Sequence, residues 1–519
     1  MPKFIPYNYR QNIMLAINFE DQLQPGTFEH AIHHLVSNKL DLSIFNDQFK
    51  NDDQGRPAYD PAILLKIVLF AYSKGITSSR EIDWCCRTNI IFKALSCDTE
   101  PHFTTIAGFV SCYPKKIETL FEQILLICHE QGLLGNELFA IDGCKMSSNA
   151  AKEWSGTFKE LEQKREKIKR QIRHHLQEQQ RIDKQERKDE GRVKRHAQAL
   201  DTLNAAADKI DQFLKTSSPR MGQGKKPKEV KSNITDNESA KMTTSKGTIQ
   251  GYNGVAAVDK KHQIVVDAQA FGSGPEHHTL APVLESIDKR FKHLGISNDL
   301  YGTGALVTAD TGFANETNME YLHKNKINAY IPDNQFRSRD PKFAEQKEKH
   351  GKRHQNTTTK NVIAGSEFQF DPVNLICVCP AGETLSYRGS RQVGNDQPKA
   401  YFEGRLLQCR NCEIKHQCMR NPSAADHRKG AGRHVSFELN DKRKPTYTDW
   451  MKHRVDSDFG KQVYSHRMST VEPVFGNIAS TKGLNKFSLR GQKKVQGQWQ
   501  LYCMVHNIEK IKNYGKIAA

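Results

Sequence analysis

The sequence has no apolar run long enough to span a bilayer. Its most apolar stretches, residues 63–72 and 124–128, fall well short of the roughly 20 residues a crossing helix needs. Lys66 breaks the first, and Glu122 and His129 flank the second. The opening Met-Pro-Lys-Phe-Ile-Pro lacks the apolar core of a signal peptide. No membrane partner is expected, and the protein is expected to be cytoplasmic. Acids are also scarce beside bases: 59 Asp+Glu face 77 Lys+Arg, a formal net charge of +18. A surplus of that size favours a polyanionic partner, because a basic surface gains affinity by releasing counterions from phosphates. A disulfide framework is missing too. Cys85, Cys86, Cys97, Cys112, Cys128, Cys144 and Cys503 are scattered singly or within helical apolar patterns, as reduced core cysteines are.

The other cysteines crowd between Cys377 and Cys418. Cys409-Arg-Asn-Cys412 is a ligand-type pair, Cys418 adds a third thiol, and Cys377 or Cys379 supplies a fourth. Four thiolates close a tetrahedral structural Zn2+ site. Cys379 is the better candidate, because the turn Cys379-Pro-Ala-Gly382 would present it. The bland alternative is a knuckle without metal. Arg405, Arg410, Lys415, Arg420, Arg428, Lys429 and Arg433 surround the cluster and suit contact with DNA.

A chain of 519 residues calls for several domains. Residues 1–134 read as an all-helical domain. Asp60-Pro61 is an N-cap followed by proline at the first helical position. Ser78-Ser-Arg-Glu81 has capping-box spacing, and further helices open near Thr104 and Pro114. Such a domain is either a helix-turn-helix-like DNA reader or a scaffold for dimerisation. Residues 152–216 are a highly charged stretch whose apolar positions are too sparse for a coiled-coil seam. They predict an exposed helical hairpin inserted into the next domain. Residues 335–440 form a polar insertion holding the cysteine cluster.

Between and after these insertions, residues 135–334 and 441–519 carry strand signals and acids. Glu137–Asp142 and Ala305–Asp310 are short apolar strands that each end in an aspartate and a turn. Residues 249–259 and 262–271 predict a hairpin, followed by a helix over 280–291 and a last strand at 329–332. Near the end, Tyr464, Met468, Val471, Phe475 and Ile478 recur at helical spacing beside Arg467 and Glu472. Pro473 is expected to kink or restart that helix. Strand, hairpin, helix, strand and acidic helix is the order of a ribonuclease-H-like α/β core, a mixed sheet with flanking helices. In it the first and fourth strands are neighbours, so Asp142 and Asp310 would face each other, with Glu472 as third ligand. Three carboxylates suit two hard divalent ions, Mg2+ or Mn2+. Asp259 and Asp267 are the rival aspartates.

Asp142 in Phe-Ala-Ile-Asp-Gly, Asp310 in Val-Thr-Ala-Asp-Thr-Gly-Phe, and Tyr464…Arg467…Val-Glu472-Pro-Val-Phe-Gly resemble bacterial insertion-sequence DDE transposases. The closest branch is the insertion-sequence-four superfamily with its Tyr-Arg-Glu-Lys signature. Gly55-Arg-Pro-Ala-Tyr-Asp-Pro, Ser79-Arg-Glu, Thr104-Thr-Ile, Leu489-Arg-Gly and His506-Asn507 extend the likeness over most of the chain. The resemblance implies hydrolytic nicking at the element's terminal inverted repeats and transfer of a 3′ hydroxyl into target DNA. It implies a nucleoid-associated homodimer on double-stranded DNA, with Tyr464 and Arg467 binding phosphates near the cut. Two departures stand out. Arg467 and Glu472 have four residues between them where the signature has three. Ala479 stands where its lysine is expected, leaving Lys482 or Lys486 as substitute. The competing readings are an inactive or repurposed ribonuclease-H-like nuclease and a zinc-stapled DNA-binding regulator.

Overall fold

The computed structural model describes residues 17–48, 57–183, 190–222, 227–245, 247–343, 362–391, 398–439 and 445–516. The N-terminal hexapeptide and Gly55-Arg56 of the first loop read above lie outside the described residues. The chain divides into two compact units, Met1–Asp333 with Met451–Ala519, and Asn334–Trp450.

In the first unit the N-terminal region is helical: α1 (Phe28–Asn38), α2 (Pro61–Ser73), α3 (Ser79–Thr88), α4 (Ile90–Ser96), α5 (Phe103–Cys112) and α6 (Pro114–Glu130). Asp60 caps α2 through its carboxylate, which accepts the Ala62 N–H at 2.7 Å, with Pro61 next to it. Ser78 precedes α3 as read, but its hydroxyl makes no capping bond. Leu64 to Tyr72 of α2 are all buried, Lys66 included, so α2 is the centre of this layer rather than one of its faces.

The sheet of this unit comprises β1 (Leu138–Ser147), β2 (Ala240–Thr244), β3 (Gly247–Asp259), β4 (Val265–Phe271), β5 (Leu306–Ala309) and β6 (Asn328–Tyr330). Its order is β6-β5-β1-β3-β2, with β4 also pairing with β3. β6, β5 and β1 run parallel, whereas β1, β3 and β4 are antiparallel in sequence. The first and fourth strands of the sequence reading are therefore adjacent. Between β1 and β2 stands the charged hairpin, α7 (Phe158–Asp183) and α8 (Glu190–Thr216). It has its own small core of Leu161, Ile168, Ala207, Ile210 and Phe213. Helix α9 (Leu280–His293) follows β4 and buries Leu280, Val283, Leu284 and Ile287, the face its spacing predicts. Helix α10 (Glu316–Lys324) links β5 to β6.

The second unit is an antiparallel sheet of β7 (Gln369–Asp371), β8 (Ile376–Val378), β9 (Thr384–Arg391), β10 (Lys399–Glu403) and β11 (His434–Glu438), in that order. Phe368, Cys377, Leu385, Ala400, Phe402, Cys418 and Val435 form its core. Two short helices, α11 (Leu406–Arg410) and α12 (Lys415–Cys418), sit between β10 and β11 in sequence.

The chain then continues through α13 (Tyr447–Asp456), α14 (Asp458–Phe475) and α15 (Gln492–Tyr514). Pro473 does not restart α14: the helix runs through it to Phe475, and a π-helical turn at Gly476–Thr481 follows. Proline removes the N–H that would pair with the Ser469 carbonyl one turn earlier. That carbonyl instead accepts from Gln263 Nε2 at 3.0 Å, so the helix continues with no orphaned acceptor. Helix α15 is buried along nearly its whole length. It packs on α1, α2, α5 and α6 on one side and on β4 on the other. The N-terminal helices and the sheet are thereby joined into one unit.

Candidate active site

Ile141 of β1 is paired with Ala309, the last residue of β5. The next residues are Asp142 and Asp310, so two aspartates leave adjacent parallel strands at the same level. Asp142 does not end its strand, as its sequence context predicts. β1 runs on to Ser147 against β3, with Asp142 opposite Ala256. What ends is the parallel neighbour β5, and the open space lies beyond that end, where α/β sheets present their reactive groups.

Glu472 comes from α14, which packs against β1 and β5. The buried face of α14 is Gly460, Val463, Arg467, Thr470, Val471 and Val474. Met468, counted in the apolar stripe from its spacing, is 59% exposed. The inward face is rotated by about one residue, and that rotation turns Arg467 toward the sheet. Arg467 Nη1 donates to Asp142 Oδ2 at 2.8 Å, while Nη2 lies 3.7 Å from Asp310 Oδ1 and 3.8 Å from Glu472 Oε1. All three predicted acids thus surround one guanidinium. Its side chain is 8% exposed against 56% for Glu472, and its Nε has no hydrogen-bond partner among the described residues.

Burial raises the Asp142 carboxyl above the ordinary aspartate value and Asp310 adds to the rise. Arg467 and the Gly143 N–H, 2.8 Å away, pull the other way. The Tyr464 ring lies 6.0 Å from the Arg467 guanidinium carbon. Lys482 is not brought to the acids. It is buried, with Nζ 2.9 Å from Glu509 Oε2. Lys486 is exposed, and its backbone bridges Ser147 at the end of β1.

The rival aspartates hold the sheet together. Asp259 accepts the backbone N–H groups of Gly135, Asn136 and Lys261. Asp267 is fully buried, ion-paired to Arg290 and bonded to the Ser286 hydroxyl. Neither carboxylate is free to hold a ligand.

Sequence reasoning missed Glu276, which follows β4 in Gly272-Ser-Gly-Pro-Glu276. Burial raises its carboxyl above the ordinary glutamate value. Lys145 opposes that rise, Asp142 and Asp310 add to it, and Arg467 opposes it. The signal that selected Asp142 and Asp310, an acid just past an apolar strand, is present at Glu276 as well.

In the second unit Cys379, Cys409, Cys412 and Cys418 line one small cavity of about 30 Å³. Cys379 sits in the expected turn, its carbonyl accepting the Gly382 N–H at 2.8 Å and its sulfur the Glu383 N–H at 3.4 Å. Glycine is needed beside Cys409: a Cβ on Gly404 or Gly432 would come 2.6 or 3.0 Å from its Sγ. Cys377 does not line that cavity; it is fully buried in the core that also takes in Cys418, and burial pushes its thiol up to about 11. As the side chains stand, no three His, Cys, Asp or Glu among the described residues are grouped to hold a metal ion. At the acids, the Arg467 guanidinium lies among the carboxylates.

Comparison with known families gives two matches. The family described as Transposase DDE domain matches residues 378–512, and that described as Transposase domain (DUF772) matches residues 17–112. No curated protein and no solved structure matches the chain. The first match spans the cysteine unit from Val378 and the helix carrying Arg467 and Glu472. The second spans most of the N-terminal helices. Together they define an enzyme that acts on DNA phosphodiester bonds, with DNA as its substrate. The two matches support an insertion-sequence DDE transposase, and the regulator and stand-alone nuclease readings are not favoured. The family implies a ribonuclease-H-like core and a divalent metal. No helix among the described residues is long and apolar enough to cross a membrane.

Proposed function

We propose that Asp142, Asp310 and Glu472 are the catalytic carboxylates of this transposase and hold its Mg2+ or Mn2+ ions. The observation that carries this is the convergence of all three on the Arg467 guanidinium, within 4 Å. A point where three carboxylates already surround one cation, with oxygen donors only, fits hard divalent ions. Bound there, the metal supplies charge stabilisation to the attacking and leaving oxygens of a phosphodiester. The chain's own residues do the rest. β1 and β5 fix the two aspartates on adjacent strands, and α14 brings the glutamate over them. Arg467 holds the acids together in the metal-free protein and, with Tyr464, is placed to meet a phosphate. With Lys482 held by Glu509, the lysine contact to phosphate falls to the exposed Lys486.

The reaction is nicking of the element's terminal inverted repeats followed by attack of the freed 3′ hydroxyl on target DNA. A homodimer on DNA would hold two ends together. Asp142→Asn, Asp310→Asn and Glu472→Gln should each lower Mg2+-dependent cleavage of element ends by about 10³-fold or more while the protein stays folded. Undiminished cutting by one of them removes that residue from the set.

The cavity lined by Cys379, Cys409, Cys412 and Cys418 is proposed as a structural Zn2+ site, each sulfur bound as thiolate. The glycine cradle around Cys409 supports it. Protein purified without chelators should contain about one zinc per chain, and Cys409→Ser with Cys412→Ser should contain none. A zinc-free wild type ends the proposal.

A further inference from the structure

We propose that the cavity between the N-terminal helices and the far end of β1 is a second DNA site, which grips backbone phosphates of the element's end about five nucleotides from the cut. The proposal rests on the transposase reading above but on none of the three carboxylates. The cavity holds about 640 Å³, the size of a ligand pocket. One wall is α5 with residues 77–80 at the start of α3, and the other is residues 148–149 and 486–489. Both walls are fixed from behind. Gly75, at φ 76°, lets the turn before α3 pass the Lys482 carbonyl, which a Cβ there would meet at 2.6 Å. Gln498 of α15 donates to the Tyr72 hydroxyl at 3.3 Å on one side and to the Ser488 hydroxyl at 2.7 Å on the other. The Lys486 carbonyl accepts the Tyr502 hydroxyl at 2.9 Å, which holds the backbone and leaves the side chain free.

The lining has the chemistry of an anion site. No Asp or Glu is part of it, and Arg80 and Lys486 are. Both are exposed, and neither side chain makes a hydrogen bond or ion pair among the described residues. Arg80 lies over the Phe103 ring, 5.0 Å from its centroid. Ser148 Oγ is buried in the opposite wall with no partner among the described residues, a cost that an incoming acceptor removes. The Ser78 hydroxyl makes no capping bond, so the first N–H groups of α3 add donors to the same wall. Two separate cations, hydroxyl and amide donors and no acid suit successive phosphates. The position follows from β1. Lys486 bridges Ser147, five residues along the strand from Asp142. At about 3.3 Å per residue that is about 16 Å from the acids, or about five nucleotides at roughly 3.4 Å each.

The test is binding, without added divalent metal, of duplexes that carry the element's terminal repeat with one phosphate at a time replaced by an uncharged methylphosphonate. Wild type should lose about tenfold in affinity at one or two adjacent phosphates, about five nucleotides from the cut, and little at their neighbours. Arg80→Met with Lys486→Met should flatten the slope of log affinity against log salt by about 1–2 and abolish that position effect. Arg80→Lys with Lys486→Arg should restore both. Ala107→Phe, which fills the cavity at constant charge, should also erase the position effect, and thermal melting checks that each variant is folded. A Met double variant with the wild-type slope and pattern overturns the proposal, and so does a loss spread evenly over all phosphates. If wild type does not prefer the repeat to an unrelated duplex, the transposase reading itself has failed. If wild type prefers it and the Met double variant binds identically, the cavity alone is excluded.

Discussion

At the scale of the residue, Arg467 decides what the metal-free centre looks like. Three carboxylates on adjacent strands and an overlying helix repel one another, and the guanidinium among them removes that repulsion. Taking away one partner of a buried pair costs about 3–5 kcal/mol. Asp310 and Glu472 are 41% and 56% exposed, so water screens part of the loss and about 2–3 kcal/mol is the better figure. Arg467→Ala should therefore melt lower than wild type without metal. Millimolar Mg2+ should then raise the Tm of the variant more than that of wild type, because in the variant the ions relieve repulsion instead of competing with a resident cation. Equal Mg2+ shifts in the two proteins would show that Arg467 and the metal do not share the site. The altered spacing between Arg467 and Glu472 has a consequence here. Residues five apart on a helix lie about 140° apart around its axis, so Arg467 points in to the sheet while Glu472 stays half in solvent and reaches across from the rim.

The elements show which parts of the fold were legible in the sequence. Helix starts written in local chemistry were readable, as at Asp60-Pro61, and so were Asp142 and Asp310, each an acid on an apolar strand. What sequence reasoning lost depends on partners far away. Pro473 follows a local rule that predicts a break, and Gln263, 206 residues from Ser469, cancels it. The buried face of α14 was misplaced by one residue because an inward arginine looks polar until the acids it meets are known. The sheet of the second unit has short strands with few apolar positions, such as the Ala400 and Phe402 pair of β10, too few to read as periodicity. The edge of β4 is the clearest case. Its outer backbone groups are satisfied by amide side chains of α15: Asn507 Oδ1 accepts the Val265 N–H at 2.8 Å, and its Nδ2 donates to the Val265 carbonyl at 2.9 Å. Gln496 does the same for Ala270 and Ala268, at 2.7 Å each. A helix thus covers an edge that would otherwise offer itself for pairing. Asn507→Leu keeps the volume but leaves a buried donor and acceptor unpaired, at about 1–3 kcal/mol for each. Urea unfolding should show a loss on the order of 2–5 kcal/mol, and hydrogen exchange at Val265 should accelerate. A variant as stable as wild type would mean that water replaces the amide.

For the whole molecule the governing quantity is the charge of +18, and the question is which bases remain available to DNA. Not all of those in the second unit do. Lys415 is paired with Asp426 at 2.9 Å, Arg410 donates to the carbonyls of Ala425 and His427, and Arg433 donates to that of Ile363. These three staple the cysteine unit itself. Arg405, Arg420, Arg428 and Lys429 are exposed, and none of their side chains makes a hydrogen bond or ion pair among the described residues. If this unit grips the duplex, these four neutralise phosphates, and each contact adds about 0.9 to the slope of log affinity against log salt. Replacing all four with alanine should flatten that slope by about 3–4 for binding to element ends. The zinc content should stay unchanged, since none of the four is a cysteine, and Arg405, which lines the cavity, holds Cys409 through a backbone carbonyl that alanine keeps. Replacing Arg410 and Lys415 instead should disturb the zinc site and the melting of the unit along with DNA binding. A quadruple variant with the wild-type salt slope would assign the phosphate contacts to the first unit, leaving the second as a folded insertion that does not touch DNA.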